Sequence, residues 1–271
     1  MSAPNDLANW MASHEHKDKK LPHIYRYHSR SDIHSVQLSE FVMRDLLGSC
    51  QTLREHAARG EAAYGINIKH AWPTTHKVKA LDLAVGIPTE KLHLLDEPIQ
   101  RVRTRRLSDG PFLPENNAFS KLLIACEAKA VMTEHGKSQP RLFDELSSSH
   151  EIVHQGDQDT IACGIVMVNI ASKFASPLRQ KHAKKLHWSI HDQPTVAERM
   201  IRHLRGLRVR DSVGQVGFDA FSTFVVDCDN QAGCKLYYDA PAPQVGESDH
   251  YDTFIQRITH FYSERFAELR R

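Results

Sequence analysis

The stretch Lys121-Leu-Leu-Ile-Ala-Cys-Glu-Ala-Lys129 decides how this chain is read. Residues 122–126 form an apolar run, and Glu127 and Lys129 stand at its end. On a strand, side chains two positions apart leave the same face. A carboxylate and an ammonium therefore emerge together from a hydrophobic strand, where charge is costly unless it is paired or put to use. A carboxylate able to hold Mg2+, beside a lysine able to steady a hydroxide or a phosphate oxygen, is what metal-dependent phosphodiester cleavage requires.

Upstream, residues 78–85, Val-Lys-Ala-Leu-Asp-Leu-Ala-Val, read as a second strand closed by Gly86 and Pro88. Asp82 lies in its middle, where a lone carboxylate needs a reason. If the two strands are neighbours, Asp82 and Glu127 share one Mg2+, and Lys129 orients or helps to deprotonate the attacking water. Between the strands, residues 87–118 read as a proline-rich insert with a short strand at about 100–107. The insert carries Asp109, the competing first acid, in a Ser-Asp-Gly-Pro context that looks like a turn. Glu61, near the end of a first long helix, is a further acid, read more simply as a solvated helix carboxylate.

The rest of the chain supplies the frame. Residues 1–30 contain little apolar content and read as a mobile or partly ordered arm. A helix capped by Asp32 or Ser35 is predicted to run to about residue 64, with Leu38, Phe41, Val42, Leu46, Leu53 and Ala57 mostly at helical spacing and Gly60 weakening or ending it. Residues 70–76, with Pro73 inside, read as a turn. Pro140 suits the first turn of a helix. Residues 160–170 are almost continuously apolar, as expected of a central strand covered on both faces. A helix opens at Pro194 or Thr195, strands follow at 221–228 and 235–238 around a hairpin turn at 229–233, and a last helix presents Tyr251, Phe254, Ile255, Ile258, Phe261, Tyr262 and Phe266. This order predicts an α/β fold with a mixed central sheet flanked by helices, as one domain over residues 31–271 behind the arm.

Composition bounds the function. With 271 residues, 41% of them hydrophobic and 25% charged, the chain can bury a sizeable core. It has no apolar run long enough to span a bilayer, so no membrane partner is expected. Five scattered cysteines without a Cys-x-x-Cys pair fit a reducing cytoplasm. Phosphate loops of the Walker type, Gly-x-Ser-x-Gly elbows and dinucleotide fingerprints are all missing from the sequence, which leaves nucleotide cofactors unsupported. His14-Glu-His16 lacks the spacing of a zinc protease helix. Net charge is only +2, but the basic residues gather in three clusters: Arg101, Arg103, Arg105 and Arg106; Arg179, Lys181, Lys184 and Lys185; and Arg199, Arg202, Arg205, Arg208 and Arg210. Each reads either as a solvated face or as a surface for a polyanion; three around one candidate metal site favour DNA.

Three acid-x-Lys triples occur, Glu15-His-Lys17, Asp18-Lys-Lys20 and Glu127-Ala-Lys129, and only the last ends an apolar strand. With Asp82 on the preceding strand, and a helix and a core strand following, the arrangement resembles the PD-(D/E)xK nuclease superfamily and, within it, type II restriction endonucleases. The resemblance covers about residues 38–171. Leu81 stands where the pattern has proline, and the 45-residue gap from Asp82 to Glu127 needs an inserted element. The resemblance implies a restriction-endonuclease-like core and Mg2+-dependent cleavage of double-stranded DNA at a specific short sequence, with Asp82 and Glu127 as metal ligands and Lys129 as the catalytic lysine. Recognition of a short site favours a homodimer. Candidate DNA contacts are Arg101, Arg103, Arg105 and Arg106 in the insert, with Lys137 and Arg141 just beyond the lysine. The alternatives are a repair or recombination nuclease that reads DNA structure, and a DNA-binding protein without catalysis in which Glu127 and Lys129 form a structural ion pair.

Overall fold

The computed structural model describes residues 2–18, 21–72, 74–89, 100–101 (backbone only), 118–182 and 185–269. In chain order, helix α1 (Ala3–Ser13) and the short strands β1 (His16–Lys17) and β2 (Ile24–Tyr25) precede helices α2 (Ile33–Ser49) and α3 (Gln51–Ala58). Strands β3 (Ala63–Trp72), β4 (Lys77–Pro88), β5 (Gln100–Arg101) and β6 (Phe119–Val131) follow, then helix α4 (His135–Gly156) and strand β7 (Ile161–Asn169). The last part holds β8 (Lys173–Phe174), β9 (Ser189–Ile190), α5 (Thr195–Leu204), β10 (Ala220–Cys228), β11 (Cys234–Tyr237) and α6 (Tyr251–Arg265).

The main sheet has the order β11-β10-β7-β6-β4-β3-β5. It is mixed, as expected. The meander β3-β4-β6 is antiparallel, whereas β6-β7-β10 is parallel and its connections pass through α4 and α5. Parallel strands need such crossovers; α4 and α5 cover one face of the sheet, and α1, α2, α3 and α6 cover the other. Every residue of β7 is accordingly buried. One apolar layer packs beneath α1, α2, α3 and α6, through Leu7, Leu46, Val85, Cys126, Phe254 and Tyr262. The other packs beneath α4 and α5, through Leu81, Ala125, Leu146, Val166, Met200 and Phe221. At the bulge between Val85 and Gly86, a Cβ on Gly86 would lie 2.5 Å from the Lys121 carbonyl oxygen, so only glycine lets β4 and β6 approach there.

Three expectations are corrected. First, the described part of residues 1–30, expected as a mobile or partly ordered arm, is packed on the rest of the protein. Ala3, Leu7, Ala8 and Met11 form one buried stripe of α1, which packs on α2 and β11. The Ala3 amide donates to Asp45 Oδ2 at 2.7 Å, and the following segment is pinned by Asn230, whose Oδ1 accepts from the amides of Arg26 and Tyr27. The spacing of a few apolar residues, not their number, makes the stripe. Second, the predicted helix to residue 64 breaks at Cys50 and ends at Ala58, and residues 63–72 form β3 instead. Ile68, His70 and Trp72 are buried at alternate positions, a period of two that overrides the helical extrapolation past Gly60, and Ile66 packs into the opposite layer. Third, Pro140 lies inside α4 and not in its first turn. The helix starts earlier because Glu134, at φ +52°, turns its carbonyl to accept from the amides of Lys137 and Ser138. The short strand expected at 100–107 is seen only as β5 beside β3, and the remainder of that expectation lies outside the described residues.

A buried ion cluster joins β10 to the far layer. Asp219 accepts from Arg210 Nε at 2.9 Å, Arg265 Nη2 at 2.6 Å, His154 Nε2 at 3.1 Å and the Ala162 amide at 2.8 Å. Burial works against its ionisation, but these hydrogen bonds win and hold its pKa at about 2, below the ordinary 3.8.

Two outcomes are expected. Leu7→Ala lowers stability by about 2–4 kcal/mol in urea unfolding; an unchanged midpoint would return this segment to a free arm. Asp219→Asn costs about 3–5 kcal/mol at pH 7 because it leaves Arg210 buried without its carboxylate. Since the folded pKa is depressed, the carboxylate's own contribution is complete above about pH 4. It is lost as pH falls toward about 2, so the gap between variant and wild type narrows by about 2 kcal/mol over that range. Parallel stability curves from pH 7 to pH 2 would show that the cluster does not titrate in this way.

Candidate active site

Ladder geometry brings the first two predicted acids together. Strand β4 pairs with β6 at Leu83↔Cys126, which sets Asp82 beside Glu127 on the neighbouring strand. Asp82 Oδ2 accepts from the Ala128 amide at 2.8 Å, so the aspartate reaches across to the acid-x-Lys segment itself. Glu127 is almost fully buried and faces α4, where Ser149 donates to Glu127 Oε2 at 3.4 Å. Lys129 Nζ lies 2.6 Å from Glu127 Oε1 and 3.7 Å from Glu145 Oε2. The register thus sets Asp82 beside Glu127, and Lys129 pairs with Glu127.

A backbone irregularity sits opposite Asp82. The β3–β4 ladder pairs Ile66 with Leu83 and Ile68 with Leu81 but skips Asn67 and Asp82, and Asn67 has φ +54°. The Asn67 side chain turns away to Asp32, donating to Oδ2 at 2.9 Å. A residue in the left-handed region inside a strand is locally unfavourable and is retained where surrounding structure enforces it.

Lys79 was not foreseen. Its Nζ lies 3.0 Å from Glu127 Oε2, so the carboxylate has one ammonium at each oxygen. Lys79 is three residues before Asp82, and a period of two puts it on the opposite face. The irregular ladder and the length of the lysine side chain defeat that rule, and nothing in the sequence signals it. Glu145 and Ser149 are contributed by α4, about one and two turns along from Arg141.

The electrostatics are uneven. Burial, and then repulsion from Glu127, push the Asp82 carboxyl up to about 6, although the Ala128 amide, Lys129 and Lys79 all favour its charge. Burial disfavours the Lys129 charge, but Glu127, Asp82 and Glu145 more than offset this and raise its pKa above the usual lysine value. Lys129 is thus an ammonium at neutral pH.

The other predicted residues divide. Arg101 lies in β5 with its backbone beside Tyr64, and its side chain is outside the description. Arg103, Arg105, Arg106 and Asp109 lie outside the described residues. Arg141 is exposed and donates to Glu145 Oε1 at 2.6 Å, so the chain Arg141–Glu145–Lys129 leads from the surface to the site. Lys137 is exposed at the start of α4 and pairs with Glu134. Glu61 pairs with Arg59 at 2.8 Å after the end of α3 and does not join the site.

Mg2+ takes only one or two protein carboxylates and keeps several waters. Asp82 and Glu127 would supply two such carboxylates; Lys79 and Lys129 already stand at the two Glu127 oxygens, and burial is the main cause that raises the Asp82 pKa. Among the described residues no group of three or more His, Cys, Asp or Glu side chains converges, so the pair does not form a full protein cage. All five cysteines are free and buried. Among the described residues no helix is long and apolar enough to cross a membrane. No family model, curated protein or solved structure matches this chain.

The raised Asp82 pKa predicts a trade of stability for poise. Below about pH 4 the carboxyl is protonated in both states. As pH rises from about 4 to about 6, the unfolded chain ionises freely while the folded site resists, so stability is lost over that window. Asp82→Asn removes the loss: it is expected to be more stable than wild type at pH 7, on the order of 2–3 kcal/mol, and equal to it near pH 3.5. Thermal unfolding at both pH values checks this, and a variant less stable at pH 7 would contradict it.

Proposed function

We propose that the protein is a Mg2+-dependent endonuclease that hydrolyses phosphodiester bonds of double-stranded DNA at a specific short sequence, in the manner of type II restriction endonucleases. The observation that carries the reading is the meeting of Asp82 and Glu127 on adjacent strands with Lys129 Nζ 2.6 Å from Glu127. The element order adds support: an acid-bearing strand, an antiparallel strand ending in acid-x-Lys, a helix, then a parallel core strand. That order is the one the PD-(D/E)xK resemblance requires.

In this reading Asp82 and Glu127 hold Mg2+, which when bound neutralises phosphate charge and makes a coordinated water a stronger acid. The remaining work belongs to the chain. Glu127, fixed by Lys79, Lys129 and Ser149, presents its carboxylate in one orientation. Asp82 is oriented by the Ala128 amide. Lys129, held as an ammonium, orients the attacking water and stabilises negative charge developing at the phosphate; its raised pKa argues against service as the base. Arg141 stands at the edge, placed to touch the DNA backbone. The reading includes a homodimer, matching a two-fold DNA site, and a reducing cytoplasm.

The test is cleavage of plasmid and defined duplex DNA. Discrete fragments with Mg2+ and none with EDTA are expected. Glu127→Gln, Lys129→Ala and Asp82→Asn each lower the cleavage rate at least 100-fold while the fold persists by circular dichroism. Full cutting by the Glu127 or Lys129 variant removes the site from the reaction. A smear, or preference for branched substrates, assigns a structure-specific nuclease instead, and binding without cutting assigns a non-catalytic DNA-binding protein.

A further inference from the structure

Between β7 and α5 the chain makes a long excursion with one-sided charge. Residues 172–191 contain Lys173, Arg179, Lys181, Lys184 and Lys185, with His182, His187 and His191, and no acidic residue. Lys184 lies outside the described residues. The excursion is braced. Phe174 and Ala175 are buried at its root, and Asn230 Nδ2 donates to the Ala175 carbonyl at 2.8 Å. Gln180 ties one side to the other, donating to the Ser176 and His187 carbonyls and accepting from the His187 amide. Lys173 Nζ sits 4.5 Å from the centre of the Trp188 ring.

A cleft of about 530 Å³ opens between this excursion and the first turn of α4, lined in part by Thr133, His135, Lys137, Arg179, Trp188 and Ser189. Two buried polar atoms of lining residues have no hydrogen-bond partner among the described residues, His135 Nδ1 and Ser189 Oγ. His135 Nε2 donates to the Asn169 carbonyl at 2.8 Å, which leaves Nδ1 as an acceptor that a water satisfies and a phosphate does not; the Ser189 hydroxyl is a free donor that a phosphate oxygen can accept from. Buried polar groups are rarely left unsatisfied without a ligand or water to meet them. At the rim, the Glu134 carboxylate engages both Arg179 and Lys137. It stands as an internal anion between two cations, the place a phosphate group would take.

The cleft lies just beyond the end of the strand that carries the candidate active site. Strand β6 carries Glu127 and Lys129 and runs directly into Thr133, at most about 13 Å beyond Lys129 at strand rise. That span is shorter than one turn of duplex, roughly 34 Å, so one DNA segment can touch both places. The recognition elements are cations, a hydroxyl and one partly covered indole, which suit a sugar-phosphate backbone and lack the row of exposed aromatic platforms that single strands use.

We propose that the cleft between residues 172–191 and the first turn of α4 grips the phosphate backbone of a DNA duplex, with Arg179 of its lining as a contact, the exposed Lys181 and Lys185 of the same excursion as flanking contacts outside the lining, and Glu134 as the internal competitor that phosphate displaces. The choice of DNA as the polyanion rests on the nuclease reading above. The experiment measures binding of a labelled duplex by the full-length protein in EDTA, over a series of KCl concentrations. The combined variant Arg179→Ala, Lys181→Ala, Lys185→Ala is expected to bind at least tenfold more weakly near 0.1 M salt. The slope of log affinity against log salt becomes shallower by about 2–3, since each phosphate contact contributes about 0.9. Glu134→Gln, which frees Arg179 and Lys137, tightens binding several-fold. Equal affinity and slope for wild type and the triple variant, at equal melting temperature, overturn the proposal, as does failure of the wild type to bind duplex at any salt. Binding of single-stranded RNA with the same affinity and slope overturns the duplex assignment. The two readings fail separately: binding that depends on Arg179, Lys181 and Lys185 without cleavage in Mg2+ sinks the nuclease and keeps the cleft, and cleavage with binding independent of them does the reverse.

Discussion

Strand β6 hydrogen-bonds antiparallel to β4 along one edge and parallel to β7 along the other, and the rest of the molecule is arranged around that double commitment. An antiparallel neighbour can be reached through a meander, but a parallel one needs a crossover, and α4 supplies it. Strand β6 is consequently covered on both faces through Cys126, and its charged end emerges beneath α4 where Ser149 and Glu145 wait. The register that joins Leu83 to Cys126 places Asp82 against Glu127 as a geometric consequence.

Two buried carboxylates in this protein show opposite electrostatic outcomes. Asp219 is surrounded by Arg210, Arg265, His154 and a backbone amide, and its pKa is held at about 2. That is how a structural ion cluster behaves: the charged state is satisfied and breaking it is costly. Asp82 has one amide, and its lysine neighbours are directed at Glu127, so burial and like charge raise it to about 6. A carboxyl left in that condition spends stability on poise, as functional sites do. Within one fold, then, one buried carboxylate has its charge satisfied and the other has its charge resisted.

The three basic clusters also have different fates. In the third, Arg210 is buried on Asp219, Arg205 pairs with Glu247 and Asp249, and Arg202 pairs with Glu198, so much of its charge is used internally. Of the second, Arg179 lines the cleft at the start of α4, Lys181 and Lys185 are exposed on the same excursion after β7, and Lys184 falls outside the described residues. Of the first, Arg103, Arg105 and Arg106 fall outside the described residues. Equal charge in the sequence therefore carries unequal meaning, because a partner close in space need not be close in the chain. Asp219 and Arg265 illustrate this at 2.6 Å and 46 residues apart.

Much of the frame was legible in order and pattern. Runs of apolar residues located β4, β6, β7 and β10, the 3.6-residue period located α6, and Glu127 with Lys129 stood out because charge at the end of a buried strand demands a use. What period and composition missed was set at long range. Strand β3 was hidden because its alternation continued directly from a helical stretch. Helix α1 was hidden because its short stripe acquires a surface only when α2 and β11 come together. Lys79 joins Glu127 through an irregular ladder at Asn67, and the cleft beside α4 exists only where two segments separated by some forty residues meet. Local sequence determined which segments are strands and helices and which strand ends carry charge, because those depend on side chains a few positions apart. Strand register and packing alone decided which charges face one another, because electrostatic partnership depends on distance in space, and the chain reveals that distance only after it has folded.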